Sequence, residues 1–398
     1  MDRYKQNAKW LACFAPFQGL SISAAYLTPF FLQRGLSLSE IFLLQSIFSV
    51  AFLLWELPSG LIADRYGRAF SIKLSVPIAA VATILYGFST KYWQFVVCEL
   101  VLALANGLIS GIDSALLFDS LKVEYPDKED EKTLQEEFVK VSQRIQACGY
   151  AAILPGALIA IALVHYISIS STIVADGLMA GAGAFFAFKL VEAPPSNGGQ
   201  EAVRLSAWHA MKQLSSNVEA RWLVVLGSAL SASTYLAFWL SAPYYTKLGI
   251  PAVLFSGIFA IRSLWKALLS HCVTQKHHLE RNMIAYASLA GLVYLAMASG
   301  QWWLSWAVLG HDAVQALQSQ PITARLNAHM KHEFRATMNS LVNLAQRLGY
   351  SVAGPLLGLL IDRTSLGVGF AAIGITCSTI AFVALARLHR LKTFQEKR

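Results

Sequence analysis

The sequence predicts an all-α membrane protein with twelve transmembrane helices, arranged as two similar six-helix bundles. Three observations support this prediction: few charged residues, apolar runs of membrane-spanning length along the whole chain, and motifs of the first half that return in the second. Of the 398 residues, 56% are hydrophobic and 14% are charged, whereas about 25% are charged in a typical soluble protein. Since roughly 20 apolar residues cross a bilayer as a helix, we expect a polytopic membrane protein.

Twelve apolar runs are long enough to be spans. The first is too long for the core of a signal peptide and is not followed by a small-residue cleavage site, so we expect it to remain as a helix. The predicted spans are residues 9–32, 40–63, 71–89, 93–121, 138–165, 168–191, 219–246, 252–273, 282–299, 302–324, 337–361 and 366–387.

The basic residues predict how the chain is oriented. With the N-terminus inside, 28 of the 32 Lys and Arg residues lie on the inner side or within spans, and the outer loops hold only Arg34, Lys91, Lys247 and Arg363. This asymmetry follows the positive-inside rule and predicts a multi-pass protein of the cytoplasmic (inner) membrane with both termini in the cytoplasm. The net charge of +9 therefore orients the protein, and we expect no nucleic-acid partner.

The chain divides into two predicted bundles, residues 1–192 and 219–398, joined by a cytoplasmic linker at 193–218. The linker is polar and rich in helix breakers. Within it an apolar residue recurs every three positions over residues 205–214, which predicts a short helix on the inner membrane face. The acidic run at 124–137 predicts a solvated cytoplasmic connection.

Two motifs repeat between the halves. Span 1 ends in Pro29-Phe30-Phe31-Leu-Gln-Arg-Gly35-Leu36, and span 7 ends in Pro243-Tyr244-Tyr245-Thr-Lys-Leu-Gly249-Ile250. Span 5 contains Gly149-Tyr150 followed by Pro155, and span 11 contains Gly349-Tyr350 followed by Pro355. Matches at corresponding spans indicate a duplicated six-helix unit. Paired units of this kind place a substrate site near the membrane midplane.

The stretch Gly60-Leu-Ile-Ala-Asp64-Arg65-Tyr-Gly67-Arg68, between spans 2 and 3, resembles the signature loop of the major facilitator superfamily. The six-plus-six plan extends this resemblance over essentially the whole chain. Glu56-Leu-Pro-Ser-Gly60 and Ser110-Gly-Ile-Asp113-Ser-Ala-Leu-Leu-Phe-Asp119-Ser-Leu resemble a bacterial branch of that superfamily. The resemblance implies two pseudo-symmetric bundles, with spans 1, 4, 7 and 10 lining a cavity and spans 3, 6, 9 and 12 facing lipid.

The resemblance also implies an inner gate. Asp64 and Arg68 would form it with a span-4 carboxylate such as Asp119 and the cytoplasmic end of span 11. Gly60 would allow close helix approach and Gly67 a tight turn, while Arg65 and Arg68 would stay at the headgroup level.

Polar side chains in apolar spans must face protein or water, because burying them in lipid costs several kcal/mol, so each is a candidate functional residue. In span 4, Glu99, Asn106 and Asp113 are seven residues apart, which predicts one polar stripe on a continuous helix. Polar groups recur in other predicted cavity-lining or neighbouring spans, at Gln18, Tyr26, Glu56, Arg144, Tyr235, Arg262, Lys266, His311, Asp312, Gln315 and Arg347.

We assign these residues two kinds of role. The substrate-binding candidates are Arg262, Lys266, Gln18, Tyr26, Asn106, Tyr235, His311, Gln315 and Arg347. The proton-coupling candidates are Asp113 and, behind it, Glu56, Glu99, His311 and Asp312; the ordinary pKa of histidine lies near physiological pH. A structural alternative stays open, in which the Asp113 and Asp312 carboxylates neutralise Arg262, Lys266 or Arg144.

These features predict a secondary transporter that moves a small organic solute by alternating access, coupled to H⁺ and acting as a monomer. Cationic candidates outnumber acidic ones, and arginine suits carboxylates, which favours an anionic or zwitterionic cargo such as an organic acid, an amino-acid-like compound or a carboxylate siderophore. The alternative is a drug/proton antiporter. It is less favoured because Ala103 stands where such antiporters have an arginine, and their span-5 glycine–proline motif is fragmentary here.

Enzymes, receptors and cofactor proteins are less consistent with the sequence. It shows neither a nucleophile–base constellation nor an added signalling domain. The five cysteines are isolated and read as packing residues, and His329 and His332 lack the spacing of a zinc helix. Gly177, Gly181 and Gly183 in span 6 follow no strand, so they predict close helix packing rather than a phosphate loop. We expect neither a metal nor a cofactor.

Overall fold

The computed structural model describes residues 2–123, 131–194, 217–272, 279–328 and 335–395. In these ranges the chain forms α-helices and two short 3-10 turns, with no β-strand, which confirms the all-α prediction. The predicted linker helix at 205–214, the start of the acidic run, and the histidines at 277, 278, 329 and 332 lie outside the described residues.

The helices in chain order are α1 (Asp2–Gly19), α2 (Leu27–Gln33), α3 (Leu38–Tyr66), α4 (Arg68–Phe88), α5 (Tyr92–Ile109), α6 (Ile112–Lys122), α7 (Glu131–Ala151), α8 (Ile153–Tyr166), α9 (Ile169–Ala187), α10 (Val218–Lys247), α11 (Phe255–Cys272), α12 (Leu279–Ser299), α13 (Ala307–Ala328), α14 (Arg335–Arg363) and α15 (Leu366–Gln395).

Nine helical stretches within the described ranges are long and apolar enough to cross a membrane. The predicted spans 1, 9 and 10 are not among them. Span 1 is divided between α1 and α2, the apolar part of α12 is shorter (Met283–Ser299), and α13 is more polar because it carries His311, Asp312 and Gln315. The protein is a multi-pass membrane protein, but the predicted number of twelve spans is not confirmed.

The described helices pack into two compact units. The first unit comprises residues 1–36, 47–197 and 252–260, and the second comprises 37–46, 198–251 and 261–398. In the first unit α4 packs against α9 and α5, and α1 packs against α7 and α9. In the second unit α15 packs against α12 and α10, and α10 also contacts α13 and α14.

Small residues set the closest helix contacts. A Cβ atom on Gly177 would lie 2.8 Å from the Ile84 nitrogen and 2.9 Å from the Ala80 oxygen, so only glycine fits between α9 and α4. A Cβ on Gly183 would lie 2.9 Å from the Cβ of Phe17. The close-packing prediction for these two glycines is confirmed.

The first repeated motif ends in the same turn in both units. Gly35 (φ +83°) and Gly249 (φ +77°) are both left-handed, a conformation that glycine adopts without a steric penalty. Leu36 N donates to Phe31 O at 3.1 Å, and Ile250 N donates to Tyr245 O at 3.0 Å. Each helix therefore closes with the same 6→1 hydrogen bond.

The second repeated motif differs between the units. α14 runs unbroken past Pro355, whereas the corresponding span 5 divides at Ala152 into α7 and α8. Pro155 lies three residues after the interruption, where its missing N–H and its ring weaken the preceding turn, but Pro355 shows that proline alone does not break the helix. The predicted span 138–165 is confirmed as one stretch of membrane-spanning length, Thr133–Tyr166, with an interruption at Ala152.

Spans 1 and 4 are interrupted as well, although Tyr92–Lys122 of span 4 remains one stretch of membrane-spanning length. In span 1 the seven residues Leu20–Tyr26 separate α1 from α2, and Ser21 is left-handed with φ +48°. In span 4, Ser110 and left-handed Gly111 (φ +73°) separate α5 from α6. Because the helix is interrupted there, the predicted stripe through Asn106 and Asp113 does not continue along one helical face.

Candidate functional site

A buried ion pair lies inside the second unit. Arg262 on α11 and Asp312 on α13 are 9% and 5% exposed. Arg262 Nε donates to Asp312 Oδ2 at 2.7 Å, and Nη2 donates to Oδ1 at 2.9 Å. This paired geometry is the strongest that arginine and a carboxylate form.

The third nitrogen of the guanidinium is also engaged. Arg262 Nη1 donates to Ser241 Oγ at 3.0 Å and to the Tyr245 hydroxyl at 3.1 Å, both on α10. Arg262 was a candidate for binding an anionic group of the cargo. In this arrangement its nitrogens are already bound by protein oxygens, so the ion-pair alternative describes it better.

A chain of polar groups continues from Asp312 through the same interior. His311 Nε2 lies 3.8 Å from Asp312 Oδ1, and His311 Nδ1 lies 3.1 Å from the Tyr294 hydroxyl. Tyr294 in turn donates to Ser233 Oγ at 3.2 Å. Both His311 and Tyr294 are buried. One connected set of side chains from α10, α11, α12 and α13 thus surrounds the carboxylate.

Lys266 lies one helical turn beyond Arg262 and is exposed, unlike the ion pair. Its Nζ donates to Gln315 Oε1 at 3.3 Å. The neighbouring Trp265 donates from its ring nitrogen to the Leu309 carbonyl at 3.0 Å, which fixes α11 against α13 here. The structure therefore brings two predicted substrate-binding residues, Lys266 and Gln315, into contact.

A cleft of the second unit opens between α10, α13 and α14. Aliphatic side chains line it together with uncharged polar ones from all three helices, which are Ser231, Thr323, Asn343 and Gln346.

Two other substrate-binding candidates belong to helices of this unit. Arg347 is half-buried on α14, and Tyr235 on α10 is 53% exposed with its ring centroid 6.3 Å from that of Tyr350.

In the first unit, Glu99 lies in the interior rather than on an accessible stripe. It is 5% exposed and accepts a 2.6 Å hydrogen bond from the Tyr86 hydroxyl. Tyr86 belongs to an aromatic cluster with Phe30, Phe31 and Phe95. These contacts favour a structural role for Glu99.

Four other candidates of the first unit lie in accessible positions. Gln18, Glu56 and Asn106 are exposed and Asp113 is half-buried. Polar groups at these depths do not face hydrocarbon without a large cost, so the surface that carries them faces water or protein. Asn106 Nδ2 donates to the Leu102 carbonyl at 2.8 Å, and Asp113 Oδ1 accepts from Ser114 N at 2.8 Å.

Tyr26 is fully buried in the first unit. Its hydroxyl lies 3.1 Å from Ser256 Oγ and donates to the Val253 carbonyl at 3.3 Å. The role predicted for Tyr26 was direct contact with cargo, but a buried hydroxyl with protein partners favours a structural contact.

Two residues predicted for the gate, Arg68 and Asp119, are in contact. Arg68 at the start of α4 forms a salt bridge with Asp119 of α6, and the same guanidinium nitrogen donates to the Ala115 carbonyl at 2.8 Å. Asp64, Arg65 and Tyr66 are exposed, and a Cβ on Gly60 would meet no neighbour within 4 Å.

Glu192 completes this loop, although sequence analysis did not identify it. Its carboxylate accepts from Arg68 N at 2.7 Å and from Ala69 N at 2.8 Å, and so caps the start of α4. Gly67, with φ +103°, makes the turn before the cap. A carboxylate 124 residues from its partner leaves no local sequence signal.

Each unit ties its first helix to its fourth span. In the first unit Asn7 of α1 donates to Ser120 Oγ of α6 at 2.9 Å. In the second unit Arg325 of α13 donates to Glu219 of α10, at 2.9 Å from Nε and 2.5 Å from Nη2. The same link is neutral in one unit and charged in the other.

Solved structures of transporters resemble this chain over nearly its whole length. A variant of the nucleoside transporter NupG superposes with a TM-score of 0.78 at 13% identity, covering 97% of this chain and 99% of that one. A POT family transporter in complex with 5-aminolevulinic acid gives 0.73 at 13% identity, covering 97% and 96%. A bacterial homologue of the human lysosomal transporter Spinster gives 0.68 at 15% identity, covering 100% and 98%.

Comparison of sequence alone finds less. No protein-family model matches the chain, and no curated protein sequence matches it. The structural likeness nevertheless shows that the chain has the fold of the major facilitator transporters, as the signature loop predicted.

Proposed function

We propose that this chain, which has the major facilitator fold, is a secondary transporter of the cytoplasmic membrane rather than an enzyme. It moves a small organic solute by alternating access, and proton movement drives the transport. The observation that carries the proposal is the buried Arg262–Asp312 pair with His311 beside it. Ionisable groups in membrane-spanning helices are expensive and in transporters form substrate and proton sites.

Asp312 is the proposed proton carrier. The carboxylate accepts two hydrogen bonds from Arg262 when ionised, and protonation removes the charge that holds the guanidinium. Arg262 would then be free to rearrange toward an anionic group, which links proton uptake to cargo binding. His311, 3.8 Å from the carboxylate, is the nearest group described that exchanges protons near neutral pH in water.

The proposed cargo is an anionic or zwitterionic organic molecule. Lys266 is an exposed cation on α11, a helix long and apolar enough to span the membrane, and its Nζ donates to Gln315. A carboxylate or phosphate of the cargo would accept hydrogen bonds from both side chains. The 5-aminolevulinic acid in the complex of the POT family transporter is a small zwitterionic molecule of the proposed kind.

Uptake into proteoliposomes tests the proton carrier. With an imposed pH gradient, Asp312→Asn is expected to lose accumulation while cargo exchange without a gradient continues. Asp113→Asn and Glu56→Gln are the matched controls, because each removes one accessible carboxylate of the first unit. Gradient-driven uptake that survives Asp312→Asn and disappears in Asp113→Asn would transfer the role to Asp113.

A ligand-induced thermal-shift screen of the purified protein tests the cargo class. Organic acids, amino-acid-like compounds and carboxylate siderophores are compared with drug-like cations. We expect stabilisation by members of the first group. In Lys266→Gln the affinity for the same compound should be at least tenfold lower, because one charged hydrogen bond worth roughly 1.5–3 kcal/mol is lost. Stabilisation by cations alone would favour drug export.

A further inference from the structure

The break in span 1 is held by a carboxylate from span 6. Residues Leu20–Tyr26 are not helical, and backbone N–H groups left without partners in a membrane cost several kcal/mol each. Asp176 of α9 supplies the acceptors. Its Oδ1 accepts from Ile22 N at 2.9 Å and its Oδ2 from Ser23 N at 2.8 Å, and the Ser23 hydroxyl also donates to Oδ2.

One glycine of span 5 and one at the end of α1 allow the backbones of the two spans to approach closely here. A side chain on Gly156 would overlap the Leu20 carbonyl, and one on Gly19 would overlap the carbonyl of Gly149. The segment thus lies against α8 at Leu20, directly after α1 meets α7 at Gly19, and Asp176 binds it at Ile22 and Ser23. Irregular backbone at this depth is tolerated when protein surrounds it in this way.

The segment ends at Tyr26, which contacts the start of α11. The Tyr26 hydroxyl lies 3.1 Å from Ser256 Oγ, and Ser256 donates to the Ala157 carbonyl of α8 at 3.1 Å. Six residues after Ser256 the same helix carries Arg262, about 9 Å further along the axis at the helical rise. Tyr26 therefore contacts the beginning of the helix that carries Arg262, one member of the proposed coupling pair.

We propose that Asp176 is a positioning residue for transport: its ionised carboxylate holds the broken segment of span 1, which keeps Tyr26 against the start of α11. The inference rests on the proposed function, but the hydrogen bonds described for Asp176 go to Ile22 and Ser23 and not to the Arg262–Asp312 pair. Loss of the carboxylate should therefore slow the turnover of the transporter and leave its affinity for cargo nearly unchanged.

Hydrogen exchange measured by mass spectrometry on the purified full-length protein tests the hold on the segment. In Asp176→Asn the amide side chain has one acceptor oxygen for two backbone donors. We expect the amides of Ile22 and Ser23 to exchange roughly 10- to 100-fold faster, the factor for losing a hydrogen bond to a charged group. Ser23→Ala removes only the hydroxyl and should have a smaller effect.

Asp362→Asn is the matched control. Asp362 also accepts from two backbone amides, those of Leu38 and Ser39 at 3.2 and 3.0 Å, but it caps a regular helix. It should leave exchange in residues 20–26 unchanged. Thermal unfolding must first show that the wild type and Asp176→Asn are both folded. If the Ile22 and Ser23 amides then exchange at the same rate in both proteins, Asp176 does not hold the segment and the proposal is wrong.

Transport kinetics test the positioning role. Asp176→Asn and Tyr26→Phe are both expected to lower kcat about tenfold with KM within about twofold. Faster exchange with unchanged kcat would leave Asp176 a purely structural residue and refute the proposal, and so would a normal kcat in Tyr26→Phe. If the wild-type protein moves no solute at all, the proposed function fails, while the exchange experiment still decides whether Asp176 holds the segment.

Discussion

At the scale of single residues, the Arg262–Asp312 pair is a buried salt bridge whose two members depend on each other. Both charges are buried, and each is compensated chiefly by the other. A buried pair contributes little net stability compared with apolar residues of similar size, because desolvation offsets the attraction. Replacing only one member of the pair should nevertheless destabilise the protein, because the other charge stays buried.

This asymmetry gives a stability prediction. Asp312→Leu leaves the guanidinium buried without its counter-charge and should destabilise the protein by about 3–5 kcal/mol. The double variant Arg262→Met/Asp312→Leu should recover most of that loss. Denaturant unfolding in detergent measures both free energies, and a double variant as unstable as the single one would contradict the explanation.

The sequence predicted which charged residues lie in the spans better than it predicted which residues they contact. Arg262, His311 and Asp312 were identified because charge is conspicuous in an apolar span. Their partners Ser241 and Tyr294 were not, because hydroxyl side chains hardly change the hydropathy of a helix. Burial likewise separates Glu99 from Asn106, although seven-residue spacing puts them on one side of α5.

At the scale of elements, the breaks in spans 1, 4 and 5 differ in how clearly the local sequence predicts them. Left-handed Gly111 marks the break in span 4 locally, whereas Pro155 follows the break in span 5 but its counterpart Pro355 lies in an unbroken helix. Residues 20–26 read Leu-Ser-Ile-Ser-Ala-Ala-Tyr, with neither glycine nor proline, and the group that stabilises the break is Asp176, more than 150 positions away. Local propensity predicted a helix there because the deciding interaction is tertiary.

The left-handed residue of that break gives a second stability prediction. A left-handed conformation costs a residue other than glycine about 1–2 kcal/mol. Ser21→Gly should therefore change the free energy of unfolding by less than about 1 kcal/mol, since relief of strain offsets the greater entropy of the unfolded chain.

Substitution by a β-branched residue should have the opposite outcome. Ser21→Val is expected to destabilise the protein by more than about 1 kcal/mol, because branching at Cβ makes positive φ still less favourable. Ser21→Ala is the control, since it keeps a Cβ and loses only the hydroxyl. Equal thermal unfolding of the Gly and Val variants would show that Ser21 carries no strain.

At the scale of the whole molecule, charge asymmetry predicted the orientation and shape comparison identified the fold. Both depend on features spread over the entire chain, which explains why they are recognisable although no family model and no curated sequence matches it. The division of Arg and Lys between the loops makes an orientation testable without knowledge of the cargo.

Cysteine labelling in intact cells checks this orientation. In a background with the five native cysteines replaced by serine, Thr90→Cys should react with a membrane-impermeant maleimide from outside. Lys189→Cys should react only after the cells are permeabilised. Both positions are exposed in the structure, so access depends on the side of the membrane, and the reverse labelling pattern would place the termini outside.

The matching caps at Gly35 and Gly249 are what the proposed duplication of a six-helix unit would leave. The turn that ends the first span of each half is the same, down to a single hydrogen bond. Within the described residues, the break held by Asp176 belongs to the first unit and the buried ion pair to the second. On the proposed function, the two units therefore contribute different parts to transport: one a held break in the backbone, the other a pair of buried charges.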